Sequence, residues 1–487
     1  MPASHDTQGP GESTSSTPLL MPSDVDVGSK HVGSASFSSS FINLANTIIG
    51  AGVLAMPHAM GVLGIFGGIL VITFAGITAG FGLYLLTRCS KYVENGSASF
   101  FTISKRTYPS AAILFDLAIA LKTFGVAVSY LIIISNLTPQ VIHAAFPQAE
   151  DSTYLMDRRF WLTVFMIIII PLSFLRKLDS LKYTSVVSLF AIGYLVLLVV
   201  GHWLKGDTTP FKGNVVFFQW SGFVKFLSSL PVFVFAFTCH QNIFTVVNEI
   251  RDTSQKQINV VVSTAIGGSW FVYLLVAITG YLSYGDNVNG NIVSMYPNSP
   301  TANIGRVAIV ILILFSYPLQ AHPCRASLDK ILVSISRVWH GADESTTRFA
   351  SSQSSLRSFG SKGEEAAREE IGETRWTILT TFILISSYLV AMAVSSLEVV
   401  LAYVGSTGSA AISFILPGLF YWRITQDSEG YSSLAEDERE TLDEANGSTR
   451  ANRKLLRYAA AALGIYGCLF MVVCLTLNVV GSFRGRH

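Results

Sequence analysis

Two short runs of this chain bring together residue types that can bind a small zwitterion. The first is Asn46-Thr47-Ile48-Ile49-Gly50-Ala51-Gly52, with Asn43 upstream and Pro57 one and a half turns downstream. The second is Phe235-Ala236-Phe237-Thr238-Cys239-His240-Gln241-Asn242, with Pro231 ahead of it. Both lie inside long apolar stretches. Glycines, a proline and side chains that bond locally to backbone favour an interrupted helix in such a place. An interruption frees N–H groups at the start of the second half-helix, where the dipole favours a carboxylate. It also frees carbonyls at the end of the first half, which suit a cation or an ammonium group. An α-amino acid carries both charges on one carbon. Gly50-Ala51-Gly52 has a second reading, a small-residue face for close helix packing. The matching interruption around residues 235–242 favours the binding-site reading, because paired irregular spans mark transporter sites.

Several further polar residues fall within apolar stretches. His240 reads as a proton-linked gate or as a structural hydrogen-bond donor. Lys122 is costly in lipid unless it faces the bundle; Asp116, six residues away, is off its helical face, so Lys122 reads as a structural charge paired elsewhere. Glu249 reads as part of a gate at the cytosolic end of the second interrupted span. Ser316, in Ser316-Tyr317-Pro318-Leu319-Gln320-Ala321-His322-Pro323, offers a hydroxyl to a cation near the first interruption or bonds back to its own helix. The five cysteines (Cys89, Cys239, Cys324, Cys468, Cys474) are odd in number and widely spaced, which supports neither a disulfide framework nor a zinc site.

The elements that would hold these residues are transmembrane helices. The chain is 50% hydrophobic and 13% charged, about half the usual share of charge, with a mean hydropathy of +0.48. Eleven apolar segments are long enough to span, at about 38–58, 62–87, 111–136, 160–175, 183–203, 222–247, 260–284, 303–323, 376–396, 399–422 and 457–482. The all-α fold expected is therefore eleven transmembrane helices. If spans one to five and six to ten form two inverted repeats, the first and sixth spans are the corresponding interrupted pair. Basic residues are richer in the short loops on the N-terminal side, which puts the N-terminus in the cytosol; Arg484 and Arg486 at the far end speak against it.

Residues 1–36 are Ser-, Pro-, Gly- and Thr-rich and read as a disordered cytosolic tail rather than a signal peptide. Leu19-Leu20 resembles a dileucine signal without its upstream acid. Residues 37–482 form one transmembrane domain, and 483–487 a short tail. Cytosolic loops at 325–375 and 424–456 read either as phosphorylatable segments or as plain solvated linkers. Of the sequons at Asn95, Asn136 and Asn446, only Asn136 faces away from the cytosol. A net charge of +2 does not suggest a nucleic-acid partner. No GxSxG, P-loop or HExxH pattern is present, and the polar stretches are too short to bury a core, so neither an enzyme nor a bound cofactor is expected. Nothing in the residues speaks to oligomeric state.

Asn43-Leu44-Ala45-Asn46-Thr47-Ile48-Ile49-Gly50-Ala51-Gly52-Val53-Leu54-Ala55-Met56-Pro57 resembles the first-helix signature of the amino acid/auxin permease (AAAP) family. Phe235–His240 resembles that family's sixth-helix motif, and Ser316–Gln320 with Pro323-Cys324-Arg325 its eighth. Within the family the likeness is to fungal vacuolar amino-acid transporters and sodium-coupled neutral amino-acid transporters, over residues 35–482. The resemblance implies a LeuT-like 5+5 inverted repeat with broken first and sixth helices. It implies a substrate held by Thr47, Gly50, Ala51, Gly52, Phe235, Ala236 and Phe237. It implies a sodium site at Asn46 and Ser316, as in the sodium-coupled relatives, and a proton as the coupled ion in the vacuolar ones; His240, read above as a proton-linked gate, is the third ion-coupling candidate. The function expected is secondary active amino-acid transport across a lipid bilayer, proton-linked and out of a vacuole. The alternatives are an amino-acid-binding nutrient sensor and sodium-coupled uptake at the plasma membrane.

Overall fold

The computed structural model describes residues 33–94, 96–148, 152–175, 184–220, 222–339, 372–436 and 447–484. Residues 1–32, Leu19-Leu20 among them, lie outside the described residues, as do the sequons Asn95 and Asn446 and the greater part of the predicted 325–375 loop.

The first interruption is real. Helix α1 runs Phe37–Ile48, opened by the Ser36 hydroxyl accepting from the Ser39 amide. Ile49, at φ −80° and ψ 70°, leaves the helix. Helix α2 then runs Gly52–Cys89 and holds both the second half of the first predicted span and all of the second. The two are divided by a bend at Gly64 (φ 73°), a left-handed backbone that selects glycine. A Cβ there would lie 2.8 Å from the Gln219 amide. The Ile65 and Phe66 amides, released by the bend, donate instead to Val216 O (3.3 Å) and Phe217 O (2.9 Å). A strap from another part of the chain thus meets the backbone demand that a loop would have left to water.

Further helices are α3 (Ala112–Ala145), α4 (Arg158–Ser173), α5 (Thr184–Lys205), α6 (Phe223–Phe237), α7 (Ile243–Glu249), α8 (Gln255–Tyr284), α9 (Pro300–Trp339), α10 (Glu373–Ala393), α11 (Leu397–Val404), α12 (Leu416–Glu436) and α13 (Gly447–Arg484), besides a short one at Phe100–Thr107 and single turns at Thr153–Met156 and Ile292–Met295. Two π-helical turns, Gly405–Ser409 and Ala411–Ile415, join α11 to α12. Among the described residues nine segments are long and apolar enough to cross a membrane, against eleven expected. The difference has a plain origin. α1 is 12 residues and α4 is 16, each short of the ~20 a free-standing span needs.

The predicted cytosolic loops start later than their charges suggest. α9 continues through residue 325 to Trp339 because Arg325 is not in solvent. Its guanidinium lies 3.3 Å over the Trp376 ring and donates to Thr380 Oγ1 (2.6 Å) and Ser173 O (3.2 Å), tying α9 to α10 and α4. Likewise α12 extends to Glu436 and α13 starts at Gly447, narrowing the predicted 424–456 loop.

α3 lies at the centre, most of its apolar residues buried, whereas most of those of α13 are not. The rim is apolar and outward: Phe66, Leu70, Phe74 and Ile77 follow helical spacing along α2 and are 49–68% exposed. A stripe of this kind fits lipid rather than water. Together with the spans, it makes this a multi-pass membrane protein.

Candidate functional site

The second interruption is also real, and it lies against the first. α6 ends at Phe237; Thr238 is extended at φ −80° and ψ 102°, and a single tight turn at His240–Asn242 leads into α7. The two breaks are joined by contacts spanning much of the sequence. The Tyr273 hydroxyl of α8 lies 2.5 Å from Ile48 O, the last carbonyl of α1, and 2.9 Å from Ala236 O, in the last turn of α6. The Asn242 amide donates to Thr47 Oγ1 (2.8 Å), while the Thr47 hydroxyl donates to Asn43 O (2.9 Å). Two half-helix C-terminal ends therefore converge on one phenol.

The glycines of the first break divide into two kinds. A Cβ on Gly52 would stand 2.9 Å from Ala236 Cβ and 3.0 Å from its Cα, so Gly52 permits backbone contact between the breaks. A Cβ on Gly50 would meet nothing nearer than 4.0 Å, its neighbours there being Thr47 O and the Tyr130 hydroxyl. Gly50 faces open space. Among the described residues the Ala51 and Gly52 amides enter no backbone hydrogen bond, and the Thr47 and Ile49 carbonyls accept none. Free donors at the head of α2 and free acceptors at the tail of α1 are the arrangement a carboxylate and an ammonium require.

A cavity of about 60 Å³ opens beside Gly50. Asn46, Ile49, Gly50 and Ala51 line it from the first break, Tyr130 from α3, Ser188 from α5 and Ser316 from α9. This brings together four of the predicted site residues (Asn46, Gly50, Ala51, Ser316). Ser316 is there but bonds back to Leu312 O at 2.8 Å. Phe235, Ala236 and Phe237 are buried behind it, at the junction of the breaks, rather than in its lining. Larger clefts exist, of about 540 Å³ between α2 and α8 and about 390 Å³ beside His58 and Glu398. The first is lined by Ile77, 66% exposed on the outer rim, and neither touches a free backbone group of the breaks.

Tyr130, Tyr273 and Ser188 were not singled out from the sequence. A lone hydroxyl in an apolar run was the signal available, and it does not distinguish a ligand from a self-bonded side chain.

His240 is wholly buried and lies away from the cavity. Nε2 meets Ala79 O of α2 at 3.1 Å, and Nδ1 meets Ser413 Oγ at 3.1 Å, in the π-helical stretch before α12. Ser413 in turn reaches Thr238 Oγ1 at 3.0 Å. A carbonyl must accept, so Nε2 carries a proton, and the hydroxyl chain can satisfy Nδ1 as acceptor or donor. The ring pins the second break to two other helices.

Glu249 is exposed, and its carboxylate forms no ion pair among the described residues. Its backbone does the holding: Ala35 N donates to Glu249 O (2.8 Å) and Arg251 N to Ala35 O (3.0 Å), while Asn248 clasps both backbone groups of Ala98. The chain just before α1 is thereby bound to the end of α7.

Lys122 has no carboxylate within 4.0 Å among the described residues; Asp116 pairs with Lys330 instead, at 3.9 Å. The Lys122 ammonium lies 3.7 Å from the centroid of the Phe235 ring and is 3% exposed. A desolvated cation–π contact contributes ~2 kcal/mol. That falls short of the several kcal/mol that burying a charge costs. A residue held at such a deficit beside the breaks is a functional candidate.

Known proteins resemble this chain over most of its length. The pattern of the family described as "Transmembrane amino acid transporter protein" matches residues 33–434. The chain is 42% identical over 450 residues to vacuolar amino acid transporter 5 of Schizosaccharomyces pombe, covering 92% of this chain and 96% of that one. It is 37% identical to vacuolar amino acid transporter 6 of Saccharomyces cerevisiae, covering 91% and 98%. Over 81% of this chain and 76% of the relative it is 23% identical to sodium-coupled neutral amino acid symporter 2 of Danio rerio. Its fold is similar to the crystal structure of MhsT in complex with L-phenylalanine, with a TM-score of 0.50 and 13% identity, over 89% of this chain and 98% of that one.

Proposed function

The chain belongs to the transmembrane amino acid transporter family, and from that premise we propose that it moves amino acids out of a vacuolar compartment by alternating access, coupled to protons. A transporter family, rather than an enzyme family, claims it. The observation that carries the reading is the pair of interrupted helices meeting on Tyr273, with free backbone donors and acceptors beside a cavity lined by Gly50.

In this account the substrate carboxylate takes the Ala51 and Gly52 amides, and its ammonium takes the Thr47 and Ile49 carbonyls. Gly50 leaves room for the substrate's backbone, and Tyr130 offers a hydroxyl from across the cavity. Thr47, Phe235, Ala236 and Phe237 shape the junction. Asn46 and Ser316 supply polar groups where a cation would sit in a sodium-coupled relative. His240 holds the second break in place, and the Glu249 backbone closes one end of the path. The membrane arrangement proposed is eleven spans with the N-terminus cytosolic, as two inverted repeats of five and one added helix, counting the split first span and the short α4. Its LeuT-like character is supported by the fold likeness to MhsT.

The vacuolar site is supported by the vacuolar relatives. Reconstituted protein tests the whole reading. Uptake of labelled amino acids into proteoliposomes should follow an imposed pH gradient and ignore sodium. Dependence on sodium would move the assignment to sodium-coupled uptake, and binding without flux would make the protein a sensor.

A further inference from the structure

We propose that the Lys122 amine carries the coupled proton, an assignment that rests on the proton-linked reading above. Lys122 sits in the enclosed centre of α3, 3% exposed. Among the described residues it has neither a carboxylate within 4.0 Å nor a hydrogen-bond acceptor; its contact is the Phe235 ring at 3.7 Å. The neighbouring titratable groups are accounted for. His240 is held at both ring nitrogens by Ala79 O and Ser413 Oγ. Asp116, on the same helix, pairs with Lys330. Cys239, from the second break, and Cys324 of α9, whose thiol donates to Ala120 O at 3.7 Å, are buried thiols. Lys122 is thus the basic side chain at the breaks that no partner has neutralised.

Its position couples charge to shape. Phe235 belongs to the last turn of α6, and its Cδ1 lies 3.7 Å from where a Gly52 side chain would begin. The ring stands between the amine and the first break. On the other side, a Cβ at Gly408 would reach within 2.7 Å of the Lys122 amide, so the π-helical stretch lies against the lysine backbone. Protonation turns the free amine into an ammonium that draws the ring face to it; deprotonation releases the ring. Both breaks and the π-helical segment touch this one residue or its ring, so one proton biases how they pack. In each cycle the amine takes one proton from the acidic compartment and gives one to the cytosol. No covalent bond changes.

The test uses full-length protein in proteoliposomes, with a radiolabelled mixture of the twenty amino acids as probe. Two readouts are taken: accumulation driven by a pH gradient, and one-for-one exchange at equal pH on both sides. Lys122→Met removes the charge, and Lys122→Arg makes it permanent. Both variants should lose gradient-driven accumulation at least tenfold, to the level seen without a gradient. Both should keep exchange within about threefold of the parent, with its pH dependence abolished. Wild-type accumulation by Lys122→Met would overturn the proposal. So would loss of exchange alongside accumulation in both variants at unchanged melting temperature, since Lys122 would then serve binding. If the unmodified protein itself ignores the pH gradient, the proton-linked reading fails first, and the two failures are told apart by that control.

Discussion

Gly50 and Gly52 stand two positions apart and do different jobs. Gly50→Val has room for its side chain and should leave the protein folded while blocking the space beside Tyr130; equilibrium binding of amino acid should be lost with the melting temperature unchanged. Gly52→Val drives a side chain into Ala236 backbone and should cost ~1–3 kcal/mol of stability, read as a lowered melting temperature. The glycine pair was legible in the sequence as one feature with two readings. Close packing is what Gly52 shows and substrate binding is what we propose for Gly50; separating the two required the Cβ directions that only the folded breaks supply. Tyr273 was not legible, because its partner carbonyl at Ile48 lies 225 residues away and no local pattern announces a shared hydroxyl.

At the scale of the element, the interrupted helices depend on side chains from their neighbours. Tyr273→Phe removes the donor that Ile48 O and Ala236 O share; Ile48 O keeps the Gly50 amide at 2.8 Å, while Ala236 O is left unsatisfied, which costs ~1–3 kcal/mol. Thermal denaturation should register that loss, and transport should fall with it because the two half-helices lose their tie. His240→Ala removes the link from the second break to α2 and to Ser413. The expected outcome is a lower melting temperature with the pH profile of transport retained; a displaced pH profile would return the coupling role to the histidine. The existence of both breaks was readable from Gly, Pro and amide-bearing residues within apolar runs. The helix ends were not, since Arg325 looks like the start of a loop until Trp376 and Thr380 are seen to receive it.

For the molecule as a whole, hydropathy carries most of the architecture, because a bilayer forces backbone groups into helices. What it does not carry is how helices join: the Gly64 bend fuses two expected spans, with its amides met by residues 216 and 217 of a distant strap. The proposed orientation predicts that an epitope tag at the N-terminus is digested by protease added to intact vacuoles; protection of the tag would reverse the topology. The account's central claim is that the paired breaks bind the amino acid. Proteoliposome uptake of labelled amino acids by the parent protein and by Gly50→Val, matched for melting temperature, tests it most directly. The account predicts gradient-driven accumulation by the first and background uptake by the second; equal accumulation by both would contradict it.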